Sequence, residues 1–118
     1  MSNTAEDDLP ESGDLVWVNF NPQAGREQAG HRPALVLSPR RYHEKTALAM
    51  VCPITSNTAP YPFKVMLPEG LPIAGAVLAD QVKSVDRMAR KLKVAGKTPP
   101  IVLLEVKAKL AVLIRFDA

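Results

Sequence analysis

Prolines divide this chain into pieces too short for anything but strands and turns. Eleven fall within 118 residues, and most lie between Pro10 and Pro72. A proline inside a helix or a central strand removes a backbone donor, so apolar runs between prolines read as short strands. Residues 14–20, 33–38 and 46–52 are such runs, and Pro39 and Pro53 close the second and third. Residues 40–45 form a polar connector of one helical turn. Ile54, Thr55, Ser56, Asn57 and Thr58 read as a hydroxyl-rich exit loop. Residues 62–67 alternate and predict a fourth, half-exposed strand. A Pro/Gly loop over 68–75 separates it from a fifth strand at 76–85. Residues 90–94 alternate as a short sixth strand with a basic, solvent-facing side.

The period then changes. Pro99-Pro100 can start a helix. Leu103, Val106, Leu110 and Leu113 recur at helical spacing, and Ile101, Val102, Leu104, Val112 and Ile114 widen the apolar face beyond one stripe. Burial on several sides, or a subunit interface, accounts for that width. Strands first and one terminal helix, without βαβ alternation, predict an α+β, mostly β fold, a small antiparallel barrel. The loose alternation of 14–20 implies burial on both faces, with Trp17 in the core or, at a strand surface, offering its indole for stacking on a base.

Residues 1–12 carry four acids, no base and no apolar periodicity, and are expected to form a flexible tail ahead of one domain at 13–118. The remaining 106 residues hold 15 basic and 8 acidic side chains, a net charge of +7. Residues 83–97 alone carry Lys83, Arg87, Arg90, Lys91, Lys93 and Lys97 against Asp86. That run suits a polyanion, or is a solvated basic face. The polar, acidic start is unlike a signal peptide, and no apolar run is long enough for a membrane span. Cys52 is the only cysteine, so no intrachain disulfide forms, as expected of a cytoplasmic protein. Mid-strand, it reads as a small core residue.

Chemistry concentrates between the first two strands. Glu27, Gln28, His31 and Arg32 fall within six residues, flanked by Gly25 and Gly30. Metal-ligand spacing, a P-loop, GxGxxG and GxSxG are all absent. RNA transesterification needs neither a metal nor an enzyme nucleophile, because the 2′-hydroxyl attacks the adjacent phosphorus. The enzyme aligns the attack, moves protons and stabilises the added negative charge. A guanidinium fork, a carboxylate or imidazole base and a hydroxyl suit that reaction, and Arg32, Glu27, His31 and Thr55 supply them. Each has a plainer reading: Arg32 paired with Glu27, Thr55 capping its own turn, Glu27 solvated, Gln28 closing the loop, His31 packed on the strand edge.

Four ordered segments carry a resemblance: Gly13-Asp14-Leu15-Val16-Trp17-Val18; Gly25-x-Glu27-Gln28-x-Gly30-x-Arg32-Pro33; Cys52-Pro53-Ile54-Thr55; and Leu78-Ala79-Asp80-Gln81-Val82-Lys83-Ser84. From about Gly13 to Ile114 the chain resembles the MazF/PemK/Kid toxins of bacterial toxin–antitoxin pairs, most closely the MazF branch. The resemblance implies an SH3-like barrel with a C-terminal helix and a homodimer. It implies a metal- and cofactor-independent, sequence-specific endoribonuclease of single-stranded RNA that inhibits translation and growth. It further implies a cognate MazE-like antitoxin whose acidic segment blocks the RNA groove. By motif match, Arg32, Thr55 and Glu27 are the catalytic candidates. Gln28, His31, Asn57, Gln81 and Lys83 are the RNA-binding candidates. Kid-type members place an acid–base aspartate where this chain reads Ala79-Asp80-Gln81, and that role is not carried to Asp80.

Two other functions fit a small barrel. CcdB-type toxins bind DNA gyrase through a helix ending Trp-Gly-Ile, whereas this chain ends Leu113-Ile114-Arg115-Phe116-Asp117-Ala118. A peptide-binding SH3-like module needs an aromatic groove, hard to build from one Trp, two Tyr and three Phe.

Overall fold

The computed structural model describes residues 9–20 and 31–115. Among them, seven strands and two helices follow in order: β1 (Asp14–Asn19), β2 (His31–Val36), α1 (Arg40–Lys45), β3 (Leu48–Thr55), β4 (Lys64–Met66), β5 (Ala76–Leu78), β6 (Lys83–Asp86), β7 (Lys93–Lys97) and α2 (Pro100–Leu113). A single 3-10 turn, Ala79–Gln81, separates β5 from β6. All strand pairs are antiparallel. The sheet runs β4-β5-β3-β2-β1-β7, with β6 also paired to β3. It curls into a small barrel-like fold, although β4 and β7 are not joined to each other.

β3 is the strand that both halves of the sheet share. Leu48 to Val51 pair with β6, and Ile54 and Thr55 pair with β5. Pro53 falls in the changeover, where neither neighbour needs its missing N–H, and it still lies opposite Ala34 of β2. The strand therefore does not end at Pro53, and Ile54 and Thr55 belong to it rather than to an exit loop. The predicted single strand over 76–85 is likewise two. β5 and β6 serve different halves of β3, and the 3-10 turn carries the chain between them. The sixth expected strand shifts from 90–94 to Lys93–Lys97, because Asp86 turns the chain first: its Oδ1 accepts the amides of Met88 and Ala89, each at 3.0 Å. β7 then pairs with β1 across an irregularity at Leu15/Val16.

The pleat sends alternate residues to opposite faces. Leu15, Leu35, Cys52 and Val77 pack with Val102 and Val106 of α2 in one cluster. Val16, Val18, Ala34, Val36, Val51 and Val85 form a second cluster on the other face, with Phe20 and Leu92 against it. Burial of β1 on both faces is as expected, except at Trp17, which is 37% exposed beside Pro33 and Lys93 rather than in the core. On α2 the inward side is Val102 and Val106, flanked by Leu103 and Leu110, whereas Leu113, on the same stripe at the end of the helix, is left exposed. Ile101, Leu104, Val112, Leu113 and Ile114 remain exposed.

The segment just before β1 packs on the body: Pro10 is buried, and Ser12 Oγ donates to the Leu37 carbonyl at 2.9 Å. His43 on α1 holds it. Its Nδ1 donates to the Pro10 carbonyl at 2.8 Å, so the neutral ring accepts at Nε2 from the Ser38 hydroxyl, 2.7 Å away. Ser38 Oγ in turn accepts the Met50 amide at 2.9 Å. Burial, reinforced by the charges of Arg87 and Arg40, holds His43 below its usual 6.5, against the opposing pull of the Pro10 carbonyl and Asp14.

Two outcomes follow from this packing. Below pH 6.5 the unfolded chain binds a proton that the folded His43 resists, so its contribution is complete above 6.5 and is lost as pH falls toward the depressed folded value. Urea midpoints measured at pH 7.5 and 5.5 should show a stability drop in wild type that is smaller in His43→Gln. Gly75 has φ +129, and a Cβ there would lie 2.3 Å from the Thr55 carbonyl oxygen. Gly75→Ala should therefore cost about 2–4 kcal/mol, read as a lower urea midpoint at unchanged slope.

Candidate functional site

The ladder between β2 and β3 runs Val36↔Val51, Leu35↔Cys52, Ala34↔Pro53. The next positions in phase with Ala34 and Pro53 are Arg32 and Thr55. The pleat therefore directs both to the face of Ala34 and Val36, at the open end of the second cluster. Arg32 is also the partner of Val18 on β1. Lys83, at the start of β6, pairs with Val51 on that same face. Its Nζ lies 4.9 Å from the centre of the Phe20 ring, within cation–π range. Arg32, Thr55, Lys83 and Phe20 thus converge on one apolar floor from four separate stretches of chain. A cleft of about 300 Å³ beside them is lined by Phe20, Lys83, Ser84, Asp86, Ala89 and Arg90.

Thr55 is half-buried, and its Oγ1 accepts the Asn57 amide at 3.0 Å. Asn57 Oδ1 accepts the Ala59 amide, also at 3.0 Å. The hydroxyl does cap its own turn, but that bond occupies only a lone pair. The O–H remains a donor for a ligand oxygen. Asn57, Gln81, Lys83, His31 and Arg32 are all exposed. His31, opposite Asn19 and one residue from Arg32, points to the other face of β2. Glu27 and Gln28 lie outside the described residues.

The basic run 83–97 is not one uniform surface. Arg87 donates to the carbonyls of His43 and Thr46, at 2.9 and 2.7 Å, and ties β6 to α1. Lys97 Nζ binds Asp14 Oδ1 at 2.7 Å. Lys83 and Arg90 are the members that line the cleft beside Phe20.

Cys52 is buried, its thiol pushed up to about 12 by burial and by the charge of Asp80, so it is a core residue and no nucleophile. Among the described residues no cluster of His, Cys, Asp or Glu could hold a metal ion. No helix is long and apolar enough to cross a membrane. Sequence reasoning missed Phe20 and read Arg90 only as one member of the basic run. Phe20 was legible only as the end of an apolar run, and its placement over Lys83 depends on the β3–β6 pairing.

The comparisons with known proteins agree with this architecture. Residues 11–114 match the family model for the PemK-like, MazF-like toxin of type II toxin–antitoxin systems. The chain is 48% identical over 106 residues to the endoribonuclease toxin MazF of Escherichia coli K12, covering 90% of this chain and 95% of that protein. It is 32% identical to the endoribonuclease PemK of Escherichia coli, covering 88% of this chain and 81% of that one. A crystal structure of MazE–MazF from Deinococcus radiodurans superposes with a TM-score of 0.84 at 50% identity, covering 89% and 95% of the two chains. On the sequence match and the superposition alike, the chain belongs to the PemK-like, MazF-like toxins of type II toxin–antitoxin systems.

Proposed function

We propose that this protein is a metal-independent endoribonuclease toxin that cuts single-stranded RNA by transesterification. The observation that carries the reading is the register of β2 and β3, which sets Arg32 and Thr55 in phase on one face, beside Lys83 and Phe20. Family membership supports it, and relatives at 48% and 32% identity are named endoribonucleases.

In the reaction the ribose 2′-oxygen attacks the adjacent phosphorus and its proton passes to a base. The P–O5′ bond breaks, and the 5′-oxygen leaves with a proton. A 2′,3′-cyclic phosphate and a 5′-hydroxyl result. The phosphorus centre gains negative charge on its non-bridging oxygens as the bond forms. Arg32 presents a planar fork to those oxygens and, remaining charged, stabilises them rather than donating a proton. The Thr55 O–H donates to one of them, its oxygen already oriented by the Asn57 amide. Glu27 matches an acidic residue that is functional in MazF-like members, and its carboxylate is a candidate for that base. Lys83 and Arg90 meet the flanking phosphates, and the Phe20 ring offers an apolar face for a base. Asn57, Gln81, Gln28 and His31 are the remaining candidate RNA contacts.

The same reading brings partners. A crystal structure of the Deinococcus radiodurans relative contains both MazE and MazF, which supports a cognate MazE-like antitoxin for this chain. The exposed apolar residues of α2 support a homodimer, and action on cellular mRNA is consistent with the cytoplasm. The gyrase-binding alternative is not favoured.

Purified protein should cut a defined unstructured transcript in EDTA, leaving 2′,3′-cyclic phosphate ends. A 2′-deoxy substitution at the scissile position should block cleavage there. Arg32→Ala should lower the rate about 10²- to 10³-fold with the urea midpoint unchanged. A variant that cleaves at the wild-type rate would remove Arg32 from the mechanism. Light scattering should give twice the 12.8 kDa chain mass; a monomer at micromolar concentration would contradict the dimer.

A further inference from the structure

The loop from β3 to β4 leaves directly from Thr55 and carries Asn57, yet every side chain from 56 to 62 is exposed. No apolar burial holds it, so polar bonds must set its shape. Three do so. Lys64 Nζ donates to the carbonyls of Asn57 and Ala59, at 2.6 and 2.8 Å. Lys109 of α2 donates to the Pro62 carbonyl at 2.7 Å. The Tyr61 hydroxyl donates to Asp80 Oδ2 at 2.5 Å, a bond that crosses from the loop to the 3-10 turn. The two lysines bind backbone carbonyls. Of these bonds among the described residues, the Tyr61–Asp80 bond alone joins two side chains, and it links the loop to the turn that carries Gln81.

Asp80 is set up for that bond and for little else. Its Oδ1 is buried and has no hydrogen-bond partner among the described residues, and its Oδ2 is committed to Tyr61. The carboxylate charge has one strong outlet, consistent with a short O–H···O⁻ bond. The same bond pushes the Tyr61 phenol above its usual 10. Neither oxygen is offered to a phosphodiester lying over Arg32 and Thr55.

We infer that Tyr61 and Asp80 are positioning residues that determine specificity: their bond fixes the 56–63 loop so that Thr55 and Asn57 meet the RNA in one orientation. This rests on the ribonuclease reading above. Losing the bond frees the loop to accept RNA in several registers, which lowers affinity for the preferred site and admits others. The proton-transfer chemistry is untouched.

The test compares Tyr61→Phe, Asp80→Ala and Asp80→Asn by three measurements: 5′-end mapping on one long defined transcript, steady-state kinetics across pH, and amide hydrogen exchange at Ala59. Tyr61→Phe and Asp80→Ala should each raise KM about 10-fold and add new cleavage sites, with the shape of the pH profile unchanged. Ala59 exchange should quicken about 10-fold in both. Asp80→Asn retains an oxygen that accepts the phenol proton and should stay within about 3-fold of wild type on each readout. Loss of cleavage in Asp80→Asn with wild-type behaviour in Tyr61→Phe would make Asp80 a participant in proton transfer and overturn the inference. Unchanged Ala59 exchange and unchanged cleavage sites in Tyr61→Phe and Asp80→Ala would also overturn it. Wild-type protein that leaves RNA intact would sink the ribonuclease reading instead, and the exchange rates alone would then decide whether the pair holds the loop.

Discussion

One strand with two sets of neighbours is the constraint on which this molecule rests. β3 gives its first half to β6 and its second half to β5, while β2 runs along its other edge. Backbone donors and acceptors must be paired wherever the strand is buried. The change of partner therefore has to fall where the chain can tolerate a gap in the ladder. Pro53, which has no N–H, sits there, next to a cysteine small enough to be enclosed in the cluster against α2. Everything outward of the changeover, including Thr55 and the loop it begins, takes its direction from that point. Gly75 completes the arrangement, since any side chain at its position would collide with the Thr55 carbonyl.

The candidate site inherits its geometry from this scaffold and its chemistry from groups the scaffold leaves half satisfied. Thr55 accepts a bond from its own loop but keeps a proton to give. Among the described residues Lys83 lies over an aromatic ring rather than against a carboxylate, so its charge is directed without being neutralised there. By contrast Arg87, Lys97 and Lys64 are spent on internal carbonyls or on Asp14, and they hold the frame. The charge that matters for a polyanion is thus smaller and more localised than a count of basic residues suggests.

Beneath α1, polar burial holds together what apolar packing cannot. Pro10, Ser38 and His43 form a chain of bonds that ends on the Met50 amide. It requires a neutral imidazole, and it ties the N-terminal approach to α1 and to β3. A hydrogen-bond chain in so dry a setting is strong when complete and costly when one member is lost.

Much of this was legible in the residues alone. Proline spacing, β-branched runs and a single helical stretch at the end determined a small, mostly antiparallel fold, because those signals are local and depend on backbone sterics. The ordered motifs around Arg32 and Thr55 determined the family. Tertiary structure alone decided the rest, since it turns on partners distant in sequence. Pro53 reads as a terminator until β5 and β6 are seen to divide β3 between them. Trp17 reads as core until β7 is seen to begin beside it at Lys93, and Leu113 reads as inward until the last turn of α2 is seen to lie exposed. Phe20 meets Lys83, and Tyr61 meets Asp80, only because the sheet folds 63 and 19 residues of chain back on themselves. No spacing within either segment records that meeting.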